Sequence, residues 1–179
     1  MVSHEIVSQR LRLEITREAH ADIVFEHLSE ERLWQHFPEL RPKSVTELRK
    51  LYRMWQTANE EPGRAEHIEN WIGFLRDTTT PVGSMQAQIL PDQTALLAYI
   101  MYSGYQKHGY ASEAAEAMLT HLHAEHEVNR VRLVIDTHNI PAIEFAKSLG
   151  FKLIEERRGV DRQYGLFGDE SIYERTIPT

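Results

Sequence analysis

The part of this 179-residue chain best equipped for chemistry is Tyr102-Ser-Gly-Tyr-Gln-Lys-His-Gly-Tyr-Ala-Ser112, between an apolar run at 95–102 and a helical pattern. A helix opening there would present unpaired backbone N–H groups and a partial positive charge, which suits a phosphate. Gly109 lets the backbone approach such a group with no Cβ in the way. Ala111 is small enough for the helix to pack close to the preceding strand, and Lys107 and His108 add charge at the rim. In isolation the pattern is equally a polar turn with a glycine. Its place between a fully apolar strand and an amphipathic helix favours the cradle. It is neither a Walker loop nor a dinucleotide fingerprint, because G-K-[ST] and G-x-G-x-x-G are both absent.

Other chemistries are poorly supplied. Without cysteine there is no thiol nucleophile, disulfide or zinc-thiolate site, which suits a cytoplasmic protein. His121, His123 and His126 invite a metal reading, but helical ligand pairs work best at i and i+4. These offer i+2, i+3 and i+5, so only His123 and His126 share a face. The three read as a solvated helix end, and no metal is expected.

The elements that must position the cradle follow from periodicity. Residues 10–15 alternate as a first or edge strand, and Thr16 or Arg17 opens a helix with Ala21, Val24, Phe25 and Leu28 on one face. Ser44 and Glu47 form a capping box before Leu48, Leu51, Tyr52 and Trp55. A loop at 59–64 contains Pro62-Gly63. Strands follow at 70–75 and 82–90, joined as a hairpin, and at 95–102, apolar on both faces as a central strand would be. Ala111, Ala114, Ala115, Met118, Leu119 and Leu122 make an amphipathic helix. A strand at 131–135 leads to a helix at 142–149, with Pro141 in its first turn and Gly150 as its C-terminal cap. Strands at 151–157 and 170–177 close the chain.

Strand–helix–strand in the middle implies a crossover between two parallel strands in an otherwise mostly antiparallel sheet. The chain therefore reads as one mixed α/β domain over 1–179. A formal charge of −7 argues against a nucleic-acid partner and fits an amine better. No apolar run approaches bilayer-spanning length, so a soluble protein is expected. Exposed edge strands leave a homodimer reasonable.

Gln106-Lys-His-Gly-Tyr-Ala111, followed by Ser112-Glu113, resembles the [RQ]-x-x-G-x-[GA] acetyl-CoA motif of the GNAT acetyltransferases. Asn139-Ile-Pro-Ala, running on to Leu149-Gly-Phe151, is similar to that family's second signature, in register. The opening Arg10-Leu-Arg-Leu and the N-terminal helices resemble the branch that acetylates ribosomal-protein N-termini. The resemblance implies a sheet with a splayed parallel strand pair and flanking helices. It implies acetyl-CoA in that cleft, and an amine that attacks directly in a ternary complex. Main-chain groups near Met101 and Tyr102 would pair with the pantetheine arm like an added strand. Amides of Lys107, His108, Gly109, Tyr110, Ala111 and Ser112 would hold the pyrophosphate. Asn139 would meet the pantetheine, cap a helix, or do both.

The family's usual acid and base are missing. The tyrosine that protonates the departing thiolate falls at Ala146, beside Phe145, and the alternative serine at Ala142. The central-strand glutamate falls at Leu96. Tyr99 is a candidate for the cleft and a buried structural tyrosine by the blander reading. Glu66, His67 and Glu69 are candidates for the acceptor side or for a solvated strand edge. Positioning alone can supply much of the acceleration. The expected activity is acetyl transfer from acetyl-CoA to a protein N-terminus or small-molecule amine. The alternatives are a non-catalytic acyl-CoA sensor and a transferase of another acyl group. The acceptor would be set by residues 18–61 and by the loop at 161–169.

Overall fold

A computed structural model describes residues 5–60, 67–161 and 167–177. Glu66, the Pro62-Gly63 turn and the centre of the 161–169 loop lie outside the described residues. The elements run β1 (Glu5–Val7), β2 (Leu11–Ile15), α1 (His20–Leu28), α2 (Val45–Glu60), β3 (His67–Leu75), β4 (Pro81–Ile89) and β5 (Thr94–Met101). Then come α3 (Tyr110–His126), β6 (Arg130–Asp136), α4 (Ile140–Ser148), β7 (Lys152–Asp161) and β8 (Phe167–Thr176). Short 3-10 turns at Glu31–Trp34 and Pro38–Leu40 link α1 to α2, and another at Ser103–Tyr105 follows β5. No helix among the described residues is long and apolar enough to cross a membrane.

The eight strands form one sheet in the order β1-β2-β3-β4-β5-β6-β8-β7. Every described pairing is antiparallel except β5 with β6. Alternation along the strands divides the core between two faces. Leu13, Trp71, Met85, Leu97 and Leu133 pack with Met118 and Leu122 of α3 and Ala146 of α4. Ile72, Phe74 and Tyr102 face the other way, against Val24 and Leu28 of α1 and Leu48 and Tyr52 of α2. The sheet thus lies between α3 and α4 on one face and α1 and α2 on the other.

Several boundaries differ from the periodic reading for local reasons. Helix α1 opens at His20 rather than Thr16 because the Thr16 amide extends the strand by donating to the Asn70 carbonyl. The Arg17 amide is then taken by His20 Nδ1 at 3.1 Å. The capping box is half made: Ser44 Oγ accepts the Glu47 amide at 3.1 Å, but Glu47 reaches past Ser44 to the Lys43 amide at 2.9 Å. Gly150 ends α4 at φ +78°, a left-handed turn that glycine adopts without strain.

Candidate active site

The parallel pair holds together over only three residue pairs: Thr94 with Arg130, Ala95 with Val131 and Leu96 with Arg132. Beyond Leu96 the two strands are no longer paired, which opens a V. Tyr102 donates its amide to Val82, so the alternation of β5 turns the main-chain groups of Tyr99 and Met101 away from β4 and into the V. The Met101 carbonyl accepts from Gln106 Nε2 at 3.1 Å. Of the two residues expected to meet a pantetheine arm, Met101 faces the opening. Tyr102 has its amide committed to β4, and its fully buried ring is stacked on His27, with centroids 4.8 Å apart.

The V runs directly into the cradle. Lys107 at φ +62° and Gly109 at φ +79° turn the backbone through two left-handed residues just before α3. Such a turn gathers successive N–H groups on one concave side, and the first-turn amides of Tyr110, Ala111 and Ser112 add to it. Lys107, His108 and Gly109 are exposed there. Tyr110 is held between the His108 ring, stacked at 5.7 Å, and the Arg10 guanidinium, 4.8 Å from its centroid.

Arg10 reaches this loop from a distance that the periodic pattern does not reveal. It leaves the β1–β2 turn, donates Nη1 to the His108 carbonyl at 3.0 Å and pairs Nε with Glu113 Oε2 at 2.6 Å. Its amide and the Ser8 hydroxyl both donate to Glu113 Oε1, at 2.6 and 2.7 Å. Burial pushes the Glu113 carboxyl up, but these donors outweigh it and hold the group below its ordinary value of 4.5. A depressed carboxylate adds stability above its unfolded pKa and loses it as pH falls through the folded one. Glu113→Gln should therefore narrow the stability gap to the parent below pH 4.5 and widen it above. Melting temperatures across an acid series check this: a gap independent of pH would deny the clasp its charge.

Asn139 caps α4, its Oδ1 accepting the Ala142 amide at 3.3 Å. Tyr99 lies under the V, its ring 4.6 Å from Phe145 of α4, and burial raises its phenol so that it stays protonated. It lines a small apolar cavity with Leu97, Met101, Ala111 and Ala115. The family-tyrosine position, Ala146, is fully buried.

Glu69 is placed elsewhere. It lies on the α3 face, away from α1 and α2, and two strands from β5, which at about 4.8 Å per strand is about 10 Å. Its carboxylate is engaged by three histidines. On the α1–α2 face, at the mouth of the V, the buried Asp136 carboxylate takes the His138 amide at 2.7 Å. It also stands 3.8 Å from His36 Nδ1. His36 comes from the irregular link between α1 and α2, where no periodic signal marks it.

A family model described as an acetyltransferase (GNAT) domain matches residues 10–152. The uncharacterized N-acetyltransferase YnaD of Bacillus subtilis (strain 168) is 27% identical over 90 residues, 50% of this chain and 53% of that protein. The chain thus spans about half the length of the curated relative it matches. Among solved structures, RimL, a ribosomal-protein α-N-acetyltransferase in complex with coenzyme A, superposes with a TM-score of 0.82 at 18% identity. The match covers 97% of this chain and 98% of that one. An acetyl transferase from Salmonella typhimurium, which modifies the N-terminal serine of a 50S ribosomal subunit protein, gives 0.83 at 18% identity, over 97% and 99%. At such identities the structures speak for the fold, and the family match covers both the V and the cradle. The chain belongs to the GNAT acetyltransferase family.

Proposed function

We infer that the chain transfers the acetyl group of acetyl-CoA to a primary amine, by direct attack while both substrates are bound. The observation that carries this is the V between β5 and β6 opening onto the left-handed cradle at Lys107–Gly109. The open edge of β5 suits the amide-bearing pantetheine arm, and the cradle suits the pyrophosphate, with Arg10 as its nearest guanidinium. Main-chain N–H groups of the V would polarise the thioester oxygen as charge develops on it. Tyr99, on β5 and kept protonated by burial, would give its proton to the departing thiolate and be restored by the proton that the attacking amine sheds. A neutral amine needs little more than alignment, which can contribute roughly 7–11 kcal/mol.

The acceptor we favour is a protein N-terminus or a similar α-amine. The relative that modifies an N-terminal serine supports this reading. A second reading, a non-catalytic acyl-CoA sensor, is favoured by the family acid and base positions being Ala146, Ala142 and Leu96.

Two measurements on one sample separate these readings. Acetyl-CoA at about a hundred times its dissociation constant should stabilise the fold by roughly 2.7 kcal/mol, seen as a rise in melting temperature. ATP and NAD at matched concentration should do far less, and an equal shift with either would remove the cofactor assignment. Thiol release with a panel of amines should then rise with acceptor concentration. A thermal shift without acceptor-dependent thiol release would make the protein a sensor.

A further inference from the structure

A second cluster lies at the other end of α3 and has no part in the proposed transfer. Glu69, on β3, has a side chain only 2% exposed, although it is a carboxylate. His67 Nε2 and His126 Nε2 converge on its Oε1 at 3.2 and 2.8 Å, and His121 Nε2 reaches its Oε2 at 3.1 Å. The ligand atoms of His67, Glu69 and His126 all lie within 4.8 Å of one another. Burial pushes the Glu69 carboxyl up, yet the three imidazoles hold it well below the usual carboxylate range.

Helical spacing gives no hint of this meeting, because His121 and His126 are five residues apart. His126 is the last residue of α3, and its ring centroid lies 5.8 Å from that of His121 across the carboxylate they share. His123, which shares a helix face with His126, is directed to the Val128 carbonyl at 3.0 Å.

We propose that His67, Glu69 and His126 form a binding site for a borderline divalent transition-metal ion such as Zn2+, with His121 orienting the carboxylate through its second oxygen. Bonds of 2.0–2.1 Å in a tetrahedral site put ligand atoms about 3.3 Å apart. Two of the three edges are already near that length, and the third, at no more than 4.8 Å, would shorten on binding. Two imidazole nitrogens with one carboxylate oxygen select zinc, cobalt or nickel over magnesium and calcium, which prefer all-oxygen sets. The His67 side chain is 41% exposed, so the fourth position opens to solvent and an ion has an entry path. Bound there, it would tie the C-terminal end of α3 to the start of β3, about 25 Å along the helix from the cradle.

The test uses the untagged full-length chain, stripped with chelator, desalted and titrated calorimetrically with zinc chloride and, separately, magnesium chloride. One zinc per chain is expected, at micromolar affinity or tighter, with no comparable magnesium binding. Cobalt(II) should give the intense visible bands of a four-coordinate site. His67→Gln leaves two histidine bonds to Glu69 in place and should keep the fold, yet weaken zinc at least about 30-fold. His126→Gln, checked for native circular dichroism, should do the same. Zinc binding weaker than micromolar, magnesium binding as well as zinc, or His67→Gln retaining the parent's affinity would each overturn the site.

Discussion

Gly109→Val will raise the dissociation constant for CoA at least about 100-fold, and the chain will remain folded. Two costs coincide at this position. A β-branched residue at φ +79° strains the backbone, by roughly 1–2 kcal/mol or more. Its side chain would also crowd the turn, where an ideal Cβ already meets Arg10 Nη2 at 3.3 Å. Losing two charge-assisted hydrogen bonds to a phosphate, each worth about 1.5–3 kcal/mol, accounts for the lost affinity. The loop is exposed and packs no core, so the melting temperature should fall by only a few degrees. Gly109→Ala provides the graded control: the arginine terminus can move aside, and the φ strain alone should cost about tenfold. Calorimetry decides the matter, and parent-like CoA affinity in Gly109→Val would mean that the pyrophosphate lies elsewhere.

An α-amine will be preferred to a lysine side chain by roughly 100-fold in kcat/KM. Only the neutral amine attacks the thioester. At pH 7 deprotonation costs an α-amine of pKa 7.7–8.0 about 1–1.4 kcal/mol, and a lysine near 10.4 about 4.6 kcal/mol. The gap corresponds to roughly 300-fold, and the greater nucleophilicity of the more basic amine offsets part of it. No described carboxylate at the family's position relieves that cost, since Leu96 stands there and Glu69 is closed in beneath α3. One peptide with either its α-amine or its lysine blocked, compared at steady state, gives the ratio. Faster reaction of the α-blocked peptide would mean that a base is at work.

What was legible in the sequence was what is local. The apolar run of β5, the periodic face of α3 and the glycine between them are short-range signals, and they locate the turn between strand and helix, whereas the V came only with the family resemblance. Strand β1, three residues long, carries too little pattern to register, and its turn delivers Arg10 to Glu113 across 103 positions. The Glu69 cluster is hidden for the same reason. Two of its three histidines lie 52 and 57 positions along the chain on α3, and only the packing of α3 over β3 brings them to one carboxylate. Asn139 is a local case too: its cap of α4 is legible from its place shortly before Pro141.

Three residue pairs are a slender seam for an eight-stranded sheet. On one side of it five strands form a single antiparallel slab, and on the other three strands form a second. Main-chain ladders are the stiff direction of a sheet, and at this seam the ladder stops partway. The slabs are therefore coupled mainly through side chains and through α3, which crosses from β5 to β6. A ligand whose amides complete the interrupted ladder would act as a splint across the seam. Its effect would be felt along the whole crossing, in the rigidity of one half relative to the other.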